Sequence, residues 1–168
     1  MSIDNKIVLK LANLEDIDKE VEFIKKVPLV ENGFANFFYN VLYMKNEDIL
    51  RFCLTLRYSS ENIPIYTYFL WVDDKIVGMY HLLSRLTDDQ KQKDGHISYT
   101  ILKEYRGKGY ATKGLSLMIE EAKKIIPEEE IYMHTTINNP ASLRIMLKNN
   151  AYIIRQDDFG IFTRIKIK

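Results

Sequence analysis

The chain has a single cysteine, Cys53. An internal disulfide is therefore excluded, and so is a cysteine-rich zinc site. Four prolines and seven glycines are spread so that no stretch resembles a linker, and no internal repeat is visible. An excess of one charge is missing as well: 24 Lys and Arg face 23 Asp and Glu, for a net charge of +1. That balance lacks the basic surplus of a dedicated nucleic-acid binder. No apolar run approaches the roughly 20 residues that cross a bilayer. The opening MSIDNKIVLK mixes charged and apolar residues, without the apolar core of a signal peptide. A cytoplasmic protein with neither membrane nor nucleic-acid partners is the expectation. What remains is ordinary: 168 residues, 46% apolar and 28% charged, enough for one domain over residues 1–168.

The apolar pattern alternates between two periods. Ile7 to Leu11 reads as a strand, and Asn13 as the cap of a helix with Leu14, Ile17, Val21 and Ile24 at helical spacing. Pro28 stops it. Two more helical stretches are expected, one with Phe34, Phe37, Phe38 and Val41 on a face. The other starts at Asn46, with Ile49, Leu50, Cys53 and Leu54 as its stripe. Tyr66 to Val72 and Ile76 to Leu83 form a strand pair around Asp73-Asp74-Lys75. Thr87 to Asp94 is expected to be solvated loop, and Gly95 to Leu102 a strand. From Lys108 the apolar positions Ala111, Leu115, Met118, Ile119, Ala122 and Ile126 step by three and four until Pro127. A strand at Ile131 to Thr136 follows, then a short helix from Pro140 to Asn149 capped by Asn139. Strands at Ala151 to Arg155 and Ile161 to Ile167, around Asp157-Asp158, close the chain. The order is β-α-α-α-β-β-β-α-β-α-β-β, an α/β (mixed α+β) protein with helices on the faces of a mixed sheet.

The informative segment is YTILKEYRGKGYATKG, Tyr99 to Gly114, where a strand runs through two glycines into a long helix. A helix start has up to four N–H groups without internal partners and a partial positive charge. Glycines let those groups approach an anion, and Arg106 and Lys108 add formal charge. A Walker A loop is excluded, because no Gly-Lys-Ser or Gly-Lys-Thr occurs. A dinucleotide fingerprint fits poorly: Thr112 stands at the third glycine, and Glu128 to Glu130 precede a strand instead of ending one. Arg106-x-x-Gly109-x-Ala111 matches Q/R-x-x-G-x-G/A, the acetyl-CoA signature of the GNAT N-acetyltransferases. A ligand-free strand-to-helix turn is the plain alternative.

In element order and motif positions the chain resembles the GNAT superfamily over most of its length. GHISYTILKEYRGKGYATKGL and NNPASLRIMLKNNAY look like one group of bacterial acetyltransferases. The resemblance implies a GNAT fold: a central, mostly antiparallel sheet of about seven strands, splayed at the CoA site, with helices on both faces. It implies acetyl-CoA as co-substrate and no metal. The backbone of Ile101 and Leu102 would hold the pantetheine. Arg106, Gly107, Lys108, Gly109, Tyr110, Ala111 and Thr112 would hold the pyrophosphate. Asn139 would bond the pantetheine, with Ser142 one turn on, and Asn139 also reads as a plain helix cap. Many members carry a tyrosine seven residues after that Asn, as the acid for the departing thiolate; here the position is Met146. A free thiol has a pKa of about 8.5, so its thiolate leaves tolerably without one.

An amine must be neutral to attack, which calls for a base. His134, five residues before Asn139, and His96, opening the strand before the loop, both have positional precedent in the family. Each also reads as a hydrogen-bonded structural histidine, and His81 alternates with apolar neighbours on its strand. The implied activity is acetyl transfer to a primary amine of a small molecule or a protein, by direct attack on the thioester. Self-association into a homodimer is left open. The rivals are a CoA-binding regulator without turnover, for which Met146 argues, and a nucleic-acid module, against which the neutral charge argues.

Overall fold

The computed structural model describes residues 5–28, 30–31, 34–35, 44–45, 48–49, 57–58 and 62–168. Its backbone is a long antiparallel hairpin with flanking strands. β1 (Ile7–Leu11), β2 (Val30–Glu31), β3 (Phe34–Ala35) and β4 (Arg57–Tyr58) precede the hairpin of β5 (Ile63–Val72) and β6 (Lys75–Leu83). Val72 pairs with Lys75, so Asp73 and Asp74 form a two-residue loop, with Asp73 at φ 56°. Aspartate tolerates that left-handed conformation, which matches the twist of a hairpin. β7 (Ile97–Ile101) pairs antiparallel with β6, giving the order β1-β5-β6-β7, with β4 also on β5. A second antiparallel sheet has the order β8-β10-β9, from β8 (Glu130–Thr135), β9 (Tyr152–Asp157) and β10 (Gly160–Lys166).

Helices cover both faces of the first sheet. The amphipathic α1 (Ile17–Lys26) buries Val21 and Ile24 in one cluster with Phe69, Trp71 and Met79. On the opposite face α3 (Tyr110–Ile125) buries Leu115, Met118 and Ala122 with Leu70, Tyr80 and Leu82. α4 (Pro140–Lys148) adds Met146 to that second cluster, which also takes Ile131 and Met133 of β8. The second core therefore runs under both sheets.

The sheets touch where β7 and β8 begin. The His96 N–H donates to the Tyr132 carbonyl at 2.7 Å. A Cβ on Gly95 would lie 2.4 Å from that same oxygen, so glycine is what lets the backbones come together. Beyond this pinch β7 pairs with β6 and β8 with β10, and the facing edges of β7 and β8 have no ladder between them.

Several expectations change. Phe34–Ala35 is a strand paired with Val30–Glu31, not the start of a helix; apolar spacing alone does not separate a short helix from a hairpin. Phe37, Phe38 and Val41 lie outside the described residues. In the next stretch Asp48 and Ile49 are helical and Ile49 is fully buried, while Asn46, Leu50, Cys53 and Leu54 lie outside the described residues. The expected loop at Thr87 to Asp94 contains α2 (Asp88–Lys93). Its signature is a capping box: the Gln90 N–H donates to Thr87 Oγ1 at 3.2 Å, and the Thr87 N–H donates to Gln90 Oε1 at 2.8 Å. Asn13 caps a turn before α1, not the helix itself, its Oδ1 accepting from the N–H groups of Glu15 and Asp16.

Candidate active site

After β7 a turn of 3-10 helix, Lys103–Tyr105, leads into Arg106-Gly107-Lys108-Gly109 and then α3. Gly107 and Gly109 have φ of 73° and 82°, conformations that penalise most side chains. Among the described residues a Cβ on either would meet nothing within 4 Å. Gly109 caps α3 without a side chain, and the first helical bond runs from the Lys113 N–H to the Gly109 carbonyl. The N–H groups of Tyr110, Ala111 and Thr112 therefore have no partner inside the helix. By contrast, α2 and α4 are capped by Thr87 and Asn139. The long helix thus presents its donors and its dipole to the glycine loop, which suits a diphosphate.

The basic residues of the loop have protein partners. Arg106 Nε donates to the Ile101 carbonyl at 2.8 Å, and its guanidinium bridges the Glu31 carboxylate at 2.7 and 2.9 Å. Arg106 thereby stiffens the loop against the strand end. Lys108 Nζ lies 5.6 Å over the Tyr105 ring. Tyr110, at the first position of α3, accepts from Asn5 Nδ2. The helix start is anchored from beneath, since Tyr80 Oη donates to the Ala111 carbonyl at 3.0 Å. Asn149 Nδ2 donates to the Thr112 carbonyl and to that of Ile145, tying α4 to α3.

The β7 edge borders the loop. The Leu83 N–H donates to the His96 carbonyl and the Leu102 N–H to that of Val77, which assigns the even-numbered backbone groups to β6. Alternation turns the N–H and C=O of Tyr99 and Ile101 toward the gap. Leu102 departs from the expectation. Its N–H is taken by Val77 and its carbonyl accepts from the Tyr105 N–H, so Tyr99 stands with Ile101 where Leu102 was expected.

Across the gap, Asn139 Oδ1 accepts from the Ser142 N–H at 3.2 Å, a true cap. Ser142 Oγ lies 2.9 Å from Tyr99 Oη, so a hydroxyl pair joins β7 to the first turn of α4. The Tyr99 ring stacks on Tyr80 at 5.4 Å. Burial pushes the Tyr99 phenol up to about 12, against the opposing effect of the Ser142 bond. Neither Gly95 nor Tyr99 stood out in the sequence: Tyr99 is one of 11 tyrosines, and the approach that needs Gly95 is to a residue far along the chain, Tyr132. Met146 turns into the core, where its sulfur accepts from Thr163 Oγ1 at 3.4 Å.

The histidines separate cleanly. His96 is fully buried at the pinch, its Nδ1 accepting from the Tyr132 N–H and its Nε2 3.1 Å from Glu128 Oε2. Burial lowers its pKa, with Glu128 opposing. It braces the two sheets, and burial keeps it from any acceptor. His81 is buried against Thr67 Oγ1, and burial lowers its pKa to about 4. His134 is half-buried on the face of β8 opposite Met133. It stacks on Phe162 at 4.6 Å, and its Nε2 lies 3.1 Å from the Phe159 carbonyl.

A family model described as an acetyltransferase (GNAT) domain matches residues 18–151. The chain belongs to the GNAT acetyltransferases. A GNAT-family acetyltransferase from Streptococcus pneumoniae is similar at 20% identity and a TM-score of 0.65, covering 97% of this chain and 100% of that one. The N-acetyltransferase PseH of Campylobacter jejuni, solved with acetyl coenzyme A, is similar at 15% identity and 0.62, over 97% and 100%. The microcin C7 self-immunity acetyltransferase MccE, solved with acetyl-CoA and AMP, is similar at 16% identity and 0.67, over 98% and 93%. At such identities the likeness is one of fold. No curated protein matches the sequence.

Acetyl-CoA is the co-substrate of GNAT acetyltransferases, and the residues present fit it. The glycine loop suits its diphosphate, and the unpaired β7 edge suits the amides of its pantetheine. Among the described residues of this GNAT chain no three His, Cys, Asp or Glu group as metal ligands, and no helix is long and apolar enough to cross a membrane.

Proposed function

We propose that this GNAT acetyltransferase moves the acetyl group of acetyl-CoA to a primary amine by direct attack on the thioester. The observation that carries the reading is the uncapped start of α3 beside the unpaired β7 edge: left-handed glycines that no described residue crowds, next to strand amides without a ladder partner. In this reading the N–H groups of Gly107 to Thr112 hold the pyrophosphate, with Lys108 adding charge and Arg106 keeping the loop in shape. The N–H of Ile101, whose carbonyl already accepts from Arg106, and Asn139 hold the pantetheine. The thioester then reaches the gap between β7 and β8. The amine, having given up its proton, attacks the carbonyl carbon from the face that carries His134. His134 takes that proton, either directly or through water. The carbon–sulfur bond breaks, the electron pair goes to sulfur, and amide and CoA leave without an acyl-enzyme. The acceptor is a small-molecule or protein amine in the cytoplasm.

Isothermal titration with acetyl-CoA, followed by a thiol-release screen over small amines, polyamines and peptide amines, tests the reading. Binding together with amine-dependent thiol release is expected. The second reading, a regulator that senses acyl-CoA, draws on the burial of Met146 at the usual acid position. Tight binding with no release for any amine would select it.

A further inference from the structure

Breaking a thioester places an electron pair on sulfur, and a nearby O–H stabilises that charge and returns a proton to it. Met146 cannot supply one. Its thioether has no proton to give, and it is buried against Thr163. The structure does hold an O–H pair that joins β7 to α4. Tyr99 Oη lies 2.9 Å from Ser142 Oγ and 3.4 Å from the Ser142 carbonyl oxygen. Tyr99 comes from the strand whose free edge lines the gap. Ser142 comes from the helix opened by Asn139, one turn before Met146 on the same face. The Tyr99 ring is held by its stack on Tyr80, whose own hydroxyl is held by the Ala111 carbonyl at the start of α3. One connected set of contacts therefore fixes a phenol relative to the start of α3 and to the first turn of α4.

We propose that Tyr99 is the proton donor to the CoA sulfur, with Ser142 as the hydroxyl that relays its replacement proton from water. As the carbon–sulfur bond breaks, the electron pair on sulfur takes the proton of Tyr99 Oη. The phenolate recovers a proton from Ser142, which is half-buried and recovers its own from solvent. The proton shed by the amine balances the exchange. A phenol whose pKa lies near 12 stays protonated throughout the neutral range, so the donor is always loaded. The proposal rests on the acetyl-transfer reading.

Tyr99→Phe keeps the stacked ring and removes only the hydroxyl. With the best amine from the screen, kcat is expected to fall about a hundredfold while acetyl-CoA affinity changes less than threefold. A second measurement needs no acceptor. If Tyr99 donates to sulfur, the parent binds the CoA thiolate in preference to the thiol. Its affinity for CoA should then rise tenfold or more between pH 7 and 10, whereas dethio-CoA, which lacks the sulfur, shows no rise. Tyr99→Phe should flatten the CoA profile to that of dethio-CoA, and Ser142→Ala, which leaves the phenol in place, should keep most of the rise. A parent profile indistinguishable from dethio-CoA, or a Tyr99→Phe protein that keeps the rise, would overturn the assignment. Absence of thiol release in the parent would instead count against acetyl transfer and leave the CoA profile to decide on Tyr99.

Discussion

Gly109 shows how much one residue can carry. At φ 82° a β-branched side chain would be strained by roughly 1–2 kcal/mol, so Gly109→Val would confuse lost folding with lost binding. Asparagine tolerates the left-handed region, and its side chain would enter the space that no described residue crowds. Gly109→Asn is therefore expected to keep the melting temperature within a few degrees and weaken acetyl-CoA binding at least tenfold; calorimetric titration beside a thermal melt checks both. His134 belongs to the same scale. His134→Ala should leave acetyl-CoA affinity alone and lower kcat/KM by about a hundredfold or more near pH 7. The deficit should shrink as pH approaches the amine's own pKa of about 10.4, where no base is needed. A rate within a few-fold of the parent at every pH would remove His134 from the mechanism.

At the scale of elements, the strand–loop–helix unit around Gly107 and Gly109 was legible in the sequence because its cause is local. Left-handed glycines, an uncapped start and a long apolar stripe all lie within a few residues of one another. α2 was written just as locally, in the Thr87–Gln90 capping box, but it lacks the apolar face that periodicity detects. What the sequence does not disclose is pairing at a distance. Glu31 holds Arg106 from 75 residues away, and His96 and Tyr132 meet across 36. Met146 gives no local hint of the strand it packs on. Only the assembled sheets reveal that Leu102 turns to β6 while Tyr99 turns to the gap. The pinch makes its own prediction. Gly95→Ala forces a methyl group against the Tyr132 carbonyl and the Met133 Cα, and neither backbone can give way cheaply. A loss of about 1–3 kcal/mol is expected in urea unfolding, with a weaker acetyl-CoA complex.

Across the whole molecule, stability should depend on pH through groups far from the loop. Glu20 is fully buried, accepts the Asn13 N–H, and is pushed up to about 7 by desolvation. The folded chain therefore binds more protons than the unfolded one between about pH 4.5 and 7. By linkage this contribution favours folding at the acid end and is lost as pH rises through that window, by up to about 3 kcal/mol. His81, lowered to about 4, works in the opposite sense and weakens the fold as pH falls from about 6.5 toward 4. Glu20→Gln keeps the acceptor for Asn13 and removes the first contribution. Its stability relative to the parent should rise between pH 4.5 and 7 and stay level above. A constant difference at all pH values would show that Glu20 ionises freely in the folded protein.

The missing ladder between β7 and β8 makes the donor more than a substrate held in a slot. Without it, the two sheets share one pinch and the core beneath, with backbone groups facing each other across a gap. In the proposed placement a pantetheine offers amides to both banks, as an absent strand would. Acetyl-CoA then acts as a removable structural member that turns two hydrogen-bonded sheets into one. Calorimetry should register the change as a gain in cooperativity. The bare chain should melt with a van't Hoff enthalpy below the calorimetric one, and the two should converge when the donor is bound. At a hundred times its Kd the donor adds about 2.7 kcal/mol, roughly 5–10 °C for a chain of this size. In a cell, the folded lifetime of such an enzyme would follow the supply of acetyl-CoA.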